Sequence, residues 1–172
     1  MEQIASMAGD AARQERFREL LERHRKVVFK VANTYAWQVE DRDELAQEIA
    51  AQLWRAFPGY DGVRPFSTWM YRIALNVAIS HVRGSSHRLR HSVPLDQDLH
   101  DLPDPHGSNH ETDQQVRALH RFIVQLDKLN RALLLLYLED HSYREIADIL
   151  GITETNVATK ISRLKQRIRH EI

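Results

Sequence analysis

The chain has 172 residues, enough for one domain or two small ones. Its 24 Lys and Arg balance 24 Asp and Glu, so the whole molecule is not a polycation, and with no cysteine it has no disulfide framework and no thiolate zinc site. No apolar core follows a basic start, and the longest apolar run, residues 132–138, is too short to span a bilayer, so a soluble cytoplasmic protein without membrane insertion is expected.

Residues 1–9 read as a loose terminus. Asp10 can cap a long helix with Phe17, Leu20, Leu21, His24, Val28, Val31 and Tyr35 along one side. A second helix is expected from Asp41 or Asp43 through Leu45, Ile49 and Leu53 to Phe57, stopped by Pro58-Gly59. After the loop GYDGVRP, Ser67 is expected to cap a third helix that turns Met70, Ile73, Ala74 and Val77 inward and ends near Gly84. Residues 84–112 hold three prolines and few large apolar groups, which predicts a flexible linker. A helix resumes near Asp113 with Val116, Leu119, Ile123 and Leu126 as its stripe, and Asp127 or Asn130 starts another, RALLLLYLED. No strand pattern is present. The fold class is all-α: two small helical domains, 10–84 and 113–172, joined by a flexible acidic linker, 85–112.

The last helices form a helix-turn-helix. Ser142 and Glu145 make a capping-box pattern, Ile146, Ile149 and Leu150 an apolar side, and Ala147 a close crossing. Gly151 suits a turn with positive φ, and Thr153 can cap the next helix. Val157, Ile161, Leu164 and Ile168 recur as one docking stripe. That stripe leaves Glu154, Thr155, Asn156, Thr159, Lys160 and Arg163 on other faces, where such residues can donate to base edges and phosphates.

Charge is unevenly spread. Residues 62–95 contain no acid, residues 91–112 contain five acids and no Lys or Arg, and residues 158–172 are basic again. Two basic segments around an acidic one predict two separate contacts with a polyanion. In the first, Phe66, Trp69 and Tyr71 stand among Arg72, His81 and Arg83. Rings stack unpaired bases while arginines follow phosphates, and the loop before such a helix can hold a base taken out of the stack. Core packing is the competing use of Phe66 and Trp69. The acids Asp41, Asp43, Glu44 and Glu48 suit either helix capping or docking of a basic protein partner. His87 with His91, and His106 with His110, are spaced by four, but they lie in the linker without further ligands. No metal or cofactor is expected. No nucleophile elbow, phosphate loop or paired-carboxylate site is present, so the chain is not expected to be an enzyme.

Taken in order, DELAQEIAAQLWRAF, FPGYDG, PFSTWMYRIALNVAISHVR and, after the proline-rich gap, LLLLYLEDHSYREIADILGITETNVATKISRLKQR resemble the extracytoplasmic-function group of bacterial sigma factors. The resemblance covers about residues 13–170 and implies a region-two-like bundle followed by a region-four-like helix-turn-helix. It implies that Asp43, Glu44, Gln47 and Glu48 dock on the β′ clamp helices, within a core polymerase whose β and β′ subunits are the partners. It implies that the loop and helix from Tyr60 to Arg83 recognise and open the −10 element, through Tyr60, Arg64, Phe66, Trp69, Arg72, Asn76, His81 and Arg83. Asn76 matches a polar position near the non-template strand. Glu154, Thr155, Asn156, Thr159, Lys160 and Arg163 then read the −35 duplex. Ala158 departs from the basic residue that many members carry after the apolar anchor.

If the two promoter elements lie roughly 17 base pairs apart, they span about 58 Å at ~3.4 Å per pair. The stretch 84–112 reaches roughly 100 Å when extended. Asp96, Asp98, Asp101 and Asp104 would suit basic walls of the polymerase channels. The expected function is a promoter-specificity subunit that binds core polymerase and promoter DNA, with an anti-sigma protein as a further possible partner. The alternative is a stand-alone helix-turn-helix regulator with an N-terminal sensor or dimerisation domain.

Overall fold

The computed structural model describes residues 2–89 and 110–172. Every element among the described residues is helical, and the chain divides into two units, Met1–His81 and Val82–Ile172.

The first unit contains α1 (Glu2–Arg23), α2 (Arg25–Tyr35), α3 (Val39–Ala56), a short 3-10 turn (Phe57–Gly59) and the start of α4 (Phe66–Leu89). Its core joins Val31, Ala32 and Tyr35 of α2, Leu45, Ile49 and Leu53 of α3, and Met70, Ala74, Leu75 and Ala78 of α4. These positions recur every three or four residues, so each helix turns one stripe inward. Seven rings gather beside this core. Phe57 lies 5.1 Å from Phe17, 6.4 Å from Phe66 and 6.2 Å from Trp69 between ring centroids, Tyr60 lies 5.2 Å from Trp69, and Trp54 and His24 flank Phe17 and Phe66.

Several boundaries differ from expectation. α1 starts at Glu2, so residues 2–9 are helical and not a loose terminus. The single long helix is two, broken at His24 without Gly or Pro. His24 takes φ −114° and ψ 15°, and its ring packs against Phe66 at 5.5 Å. Burial, followed by the Arg23 charge, pushes its pKa down. α3 begins at Val39, two residues before the first acid proposed as its start, with Glu40 and Asp41 in its first turn. α4 begins at Phe66, because the Pro65 carbonyl already accepts from the Trp69 N–H at 3.2 Å; Ser67 lies inside the helix and does not cap it. α4 continues past Gly84 to Leu89, and the next helix begins at His110. Of the expected linker, residues 90–109 lie outside the described residues, with Asp96, Asp98, Asp101 and Asp104 among them.

The second unit contains α5 (His110–Gln125), α6 (Lys128–Leu138), α7 (Tyr143–Leu150) and α8 (Glu154–Glu171). Asp127 caps α6, its Oδ1 accepting from the Asn130 N–H at 2.8 Å. α7 and α8 pack on α6 and on each other through Leu133, Leu136, Ile146, Val157 and Ile161. Phe122 and Leu126 of the α5 stretch are also buried, whereas Val116, expected in that stripe, is 56% exposed. Arg131 fastens the α5–α6 corner, donating from Nε to the Leu126 carbonyl at 3.1 Å and from a terminal nitrogen to the Val124 carbonyl at 2.8 Å. No helix among the described residues is long and apolar enough to cross a membrane.

Candidate nucleic-acid interface

The turn between α7 and α8 fixes where the last helix starts. Ser142 Oγ accepts from the Glu145 N–H at 3.1 Å and opens α7. Only half of a capping box forms, because the Glu145 carboxylate meets His141 Nδ1 at 3.0 Å. α7 stops at Gly151, whose φ is +70°, where the Gly151 and Ile152 N–H groups both donate to the Ala147 carbonyl. Thr153 Oγ1 then accepts from the Asn156 N–H at 3.1 Å and starts α8. Replacing Thr153 by Ala is expected to cost about 1 kcal/mol. Urea unfolding of the chain would read this as a lower midpoint, with Thr153→Ser restoring most of it.

Val157, Ile161 and Leu164 of α8 are buried, and Ile168 is half-buried. Glu154, Thr155, Asn156, Thr159 and Arg163 are exposed, and Lys160 is half-buried. The docking stripe thus leaves the polar surface at the helix start open, as base reading requires. The basic residues further along are differently used. Lys165 Nζ sits 4.8 Å above the Tyr137 ring, and the hydrogen bond with Tyr137 raises its pKa. Arg167 lies 5.3 Å from the Phe122 ring and bonds Glu171 at 3.3 Å.

In the first unit, Trp69, Arg72 and Asn76 fall at i, i+3 and i+7 on the face of α4 opposite its core stripe. Arg72 and Asn76 are exposed and Trp69 is half-buried. The loop before α4 is pinned in shape. Tyr60 Oη donates to the Arg64 carbonyl at 2.6 Å, and Asp61 Oδ1 accepts from the Val63 and Arg64 N–H groups at 2.9 and 3.4 Å. Those two backbone bonds hold the Asp61 carboxyl below its usual range. Gly62 takes φ +74° in the same turn.

Two expected −10 contacts do not join this face. Phe66 is 6% exposed, because it packs among the His24, Phe57 and Tyr60 rings, so it belongs to the core. His81 turns the other way and meets Glu48 of α3, Nδ1 to Oε2 at 3.2 Å, with only 16% of its side chain exposed. Arg83 lies in α4, its side chain outside the described residues.

Asp43, Glu44, Gln47 and Glu48 are all exposed on the side of α3 away from Leu45, Ile49 and Leu53. Asp43 and Gln47 also line an open apolar groove of about 360 Å³ with Leu21, Val28, Phe29 and Ala46. Phe29 is 54% exposed there, a feature that helix periodicity alone does not reveal, since Val27 and Val28 beside it are buried. Among the described residues no three or more His, Asp or Glu side chains come together to hold a metal ion.

Comparison with known proteins agrees with this arrangement. The sigma-70 region 2 family matches residues 20–88, and the sigma-70 region 4 family matches residues 116–168. The ECF RNA polymerase sigma factor SigE of Mycolicibacterium smegmatis is 27% identical over 96% of this chain, which spans 65% of that relative's length. The ECF RNA polymerase sigma factor SigW of Bacillus subtilis is 23% identical, covering 92% of this chain and 90% of the relative. The sigma factor RpoE of Bartonella quintana, solved in complex with the anti-sigma factor NepR, shares the fold at a TM-score of 0.71 and 18% identity, over 91% of this chain and 96% of that one. The first unit therefore matches a sigma domain, which does not favour a stand-alone regulator with a sensor or dimerisation domain. A helix-turn-helix alone would fit many regulators; preceded in one chain by a sigma region 2 it does not, and the chain belongs to the extracytoplasmic-function sigma factors of bacterial RNA polymerase.

Proposed function

We propose how this promoter-specificity subunit divides its work along the chain. Asp43, Glu44, Gln47 and Glu48, with the apolar groove beside them, form the docking face for core polymerase. Trp69, Arg72 and Asn76, with Tyr60 and Arg64 in the loop before them, hold the separated −10 strand. Glu154, Thr155, Asn156, Thr159, Lys160 and Arg163 meet the −35 duplex. The domain division is 10–84, 85–112 and 113–172, although α1 begins earlier and α4 runs on to Leu89. Sigma factors are generally non-catalytic regulatory subunits, so RNA synthesis stays with the core enzyme. The work takes place in the cytoplasm, where polymerase and promoter are. An anti-sigma protein is a fitting regulator, as one is bound to the Bartonella relative.

The observation that carries this reading is the face of α4. A half-buried tryptophan and two exposed polar side chains sit on one stripe beside a loop held by its own hydrogen bonds. Stacking on an aromatic ring is worth about 1–3 kcal/mol per base, enough to offset much of the cost of unstacking one. Run-off transcription with purified core on genomic fragments tests the function and yields the promoter. Once a promoter is known, Trp69→Ala and Asn76→Ala are expected to lower heparin-resistant open complexes about tenfold while core binding holds. Equal loss of core binding and open complexes would reject the role given to this face.

A further inference from the structure

A second cavity of about 370 Å³ opens between α1 and the loop before α4. Its lining includes Arg13 and Arg16 from α1 and Phe57, Tyr60, Asp61 and Gly62 from the loop side. Two features make it suitable for a backbone phosphate. The first is charge: two guanidinium groups stand three residues apart on one helix, so they share a face. Arg16 is exposed and has no ion-pair partner among the described residues. Arg13 meets Asp10 at 3.5 Å, in a pair with half or more of both side chains in solvent, so the pair gives way readily to a phosphate. The second is the wall opposite. Tyr60 and Asp61 are fixed by their bonds to Arg64 and Val63, and Gly62 adds no side chain. Asp61 repels an anion, so a phosphate in the cavity is driven to the α1 side.

The cavity adjoins the face described above through Tyr60, which lines it and whose ring lies 5.2 Å from Trp69. A strand whose bases meet Trp69 can therefore lay its sugar–phosphate backbone along this loop. We propose that Arg13 and Arg16 of α1 form a phosphate clamp for the separated promoter strand, so that α1 supplies a third DNA contact beyond α4 and α8. Guanidinium groups suit this task because they bind phosphate oxygens in a bidentate fork. The inference rests on the −10 role proposed for α4 and its loop.

The test uses holoenzyme assembled from core and the full chain, on a promoter found by run-off transcription and supplied with its −10 region already unpaired. Arg13→Ala/Arg16→Ala is expected to weaken binding about tenfold or more, as removing charge-assisted bonds to phosphate does. The slope of log affinity against log salt should shrink by about 0.7 for each single-strand phosphate that is no longer neutralised. Arg13→Lys/Arg16→Lys should keep the salt slope and recover part of the affinity. Both arginines are exposed, and an unchanged thermal transition of the variant chain confirms that folding is intact. Unchanged affinity and salt slope in the alanine variant, with wild-type holoenzyme binding normally, would overturn the clamp and leave the α4 role standing. If instead Trp69→Ala binds the unpaired template as tightly as wild type, the α4 reading falls and the clamp with it.

Discussion

Replacing Ile161 by Ala is expected to strip most of the stability from the second unit. Ile161 is 1% exposed in the core where α8 meets α6 and α7, together with Leu133, Leu136 and Ile146. Truncating such a side chain costs about 2–5 kcal/mol, from reduced burial plus the cavity left behind. The packed helices of this unit, from His110 to Glu171, hold only roughly 3–9 kcal/mol in total, and small domains bury a smaller share of their surface. Far-UV circular dichroism in urea should therefore show the second unit unfolding at a much lower midpoint, with the first unit's transition unmoved. Arg163→Ala supplies the contrast: an exposed side chain removed with no change in unfolding, weaker promoter binding and a salt slope smaller by about one. A loss below about 1 kcal/mol for Ile161→Ala would mean that α8 is not anchored by this stripe.

Gly151→Val is the second large effect. A Cβ added at Gly151 meets nothing within 4 Å, so no steric neighbour forbids it. The penalty is in the backbone: φ is +70°, a conformation that costs an L-residue about 1–2 kcal/mol, and a β-branched one more. The turn can escape that cost only by changing the exit of α7, which displaces Thr153 and the start of α8. Both thermal stability and protection of the −35 region in a footprint should fall together. Gly151→Asn, which tolerates this conformation better, should lose less of both. If the valine variant kept full stability and full −35 protection, the left-handed turn would not be what aims α8.

What was legible in the sequence was local chemistry. Ser142, Gly151, Thr153 and Asp127 act within three or four residues of themselves, so their types and spacing suffice to predict caps and a turn. The stripes of α3 and α8 were legible for the same reason. What was not legible depends on neighbours distant in the chain. The break at His24 coincides with packing on Phe66, forty-two residues away, and carries no Gly or Pro to announce it. Phe66 and Trp69 look alike as aromatic residues near a basic helix, yet one is core and the other half-exposed, and only the ring cluster decides which. The family resemblance implies separate contacts for His81 and Glu48, to DNA and to polymerase, but the two touch each other across thirty-three residues. Asp140 in a left-handed turn and Arg131 tied to two carbonyls carry no signal in the sequence, because Asp and Arg serve many other uses.

The ring cluster also makes the chain its own spectroscopic reporter. All three tryptophans, Trp37, Trp54 and Trp69, belong to the first unit, and the second has none. Trp69 stacks beside Phe66 and Tyr60, and Trp54 tilts against Phe17, so both indoles respond to any loosening of the ring cluster. Tryptophan emission therefore follows the first unit alone without any label. A probe placed on the second unit would then give an independent signal, so that one titration with promoter fragments can tell which half engages first.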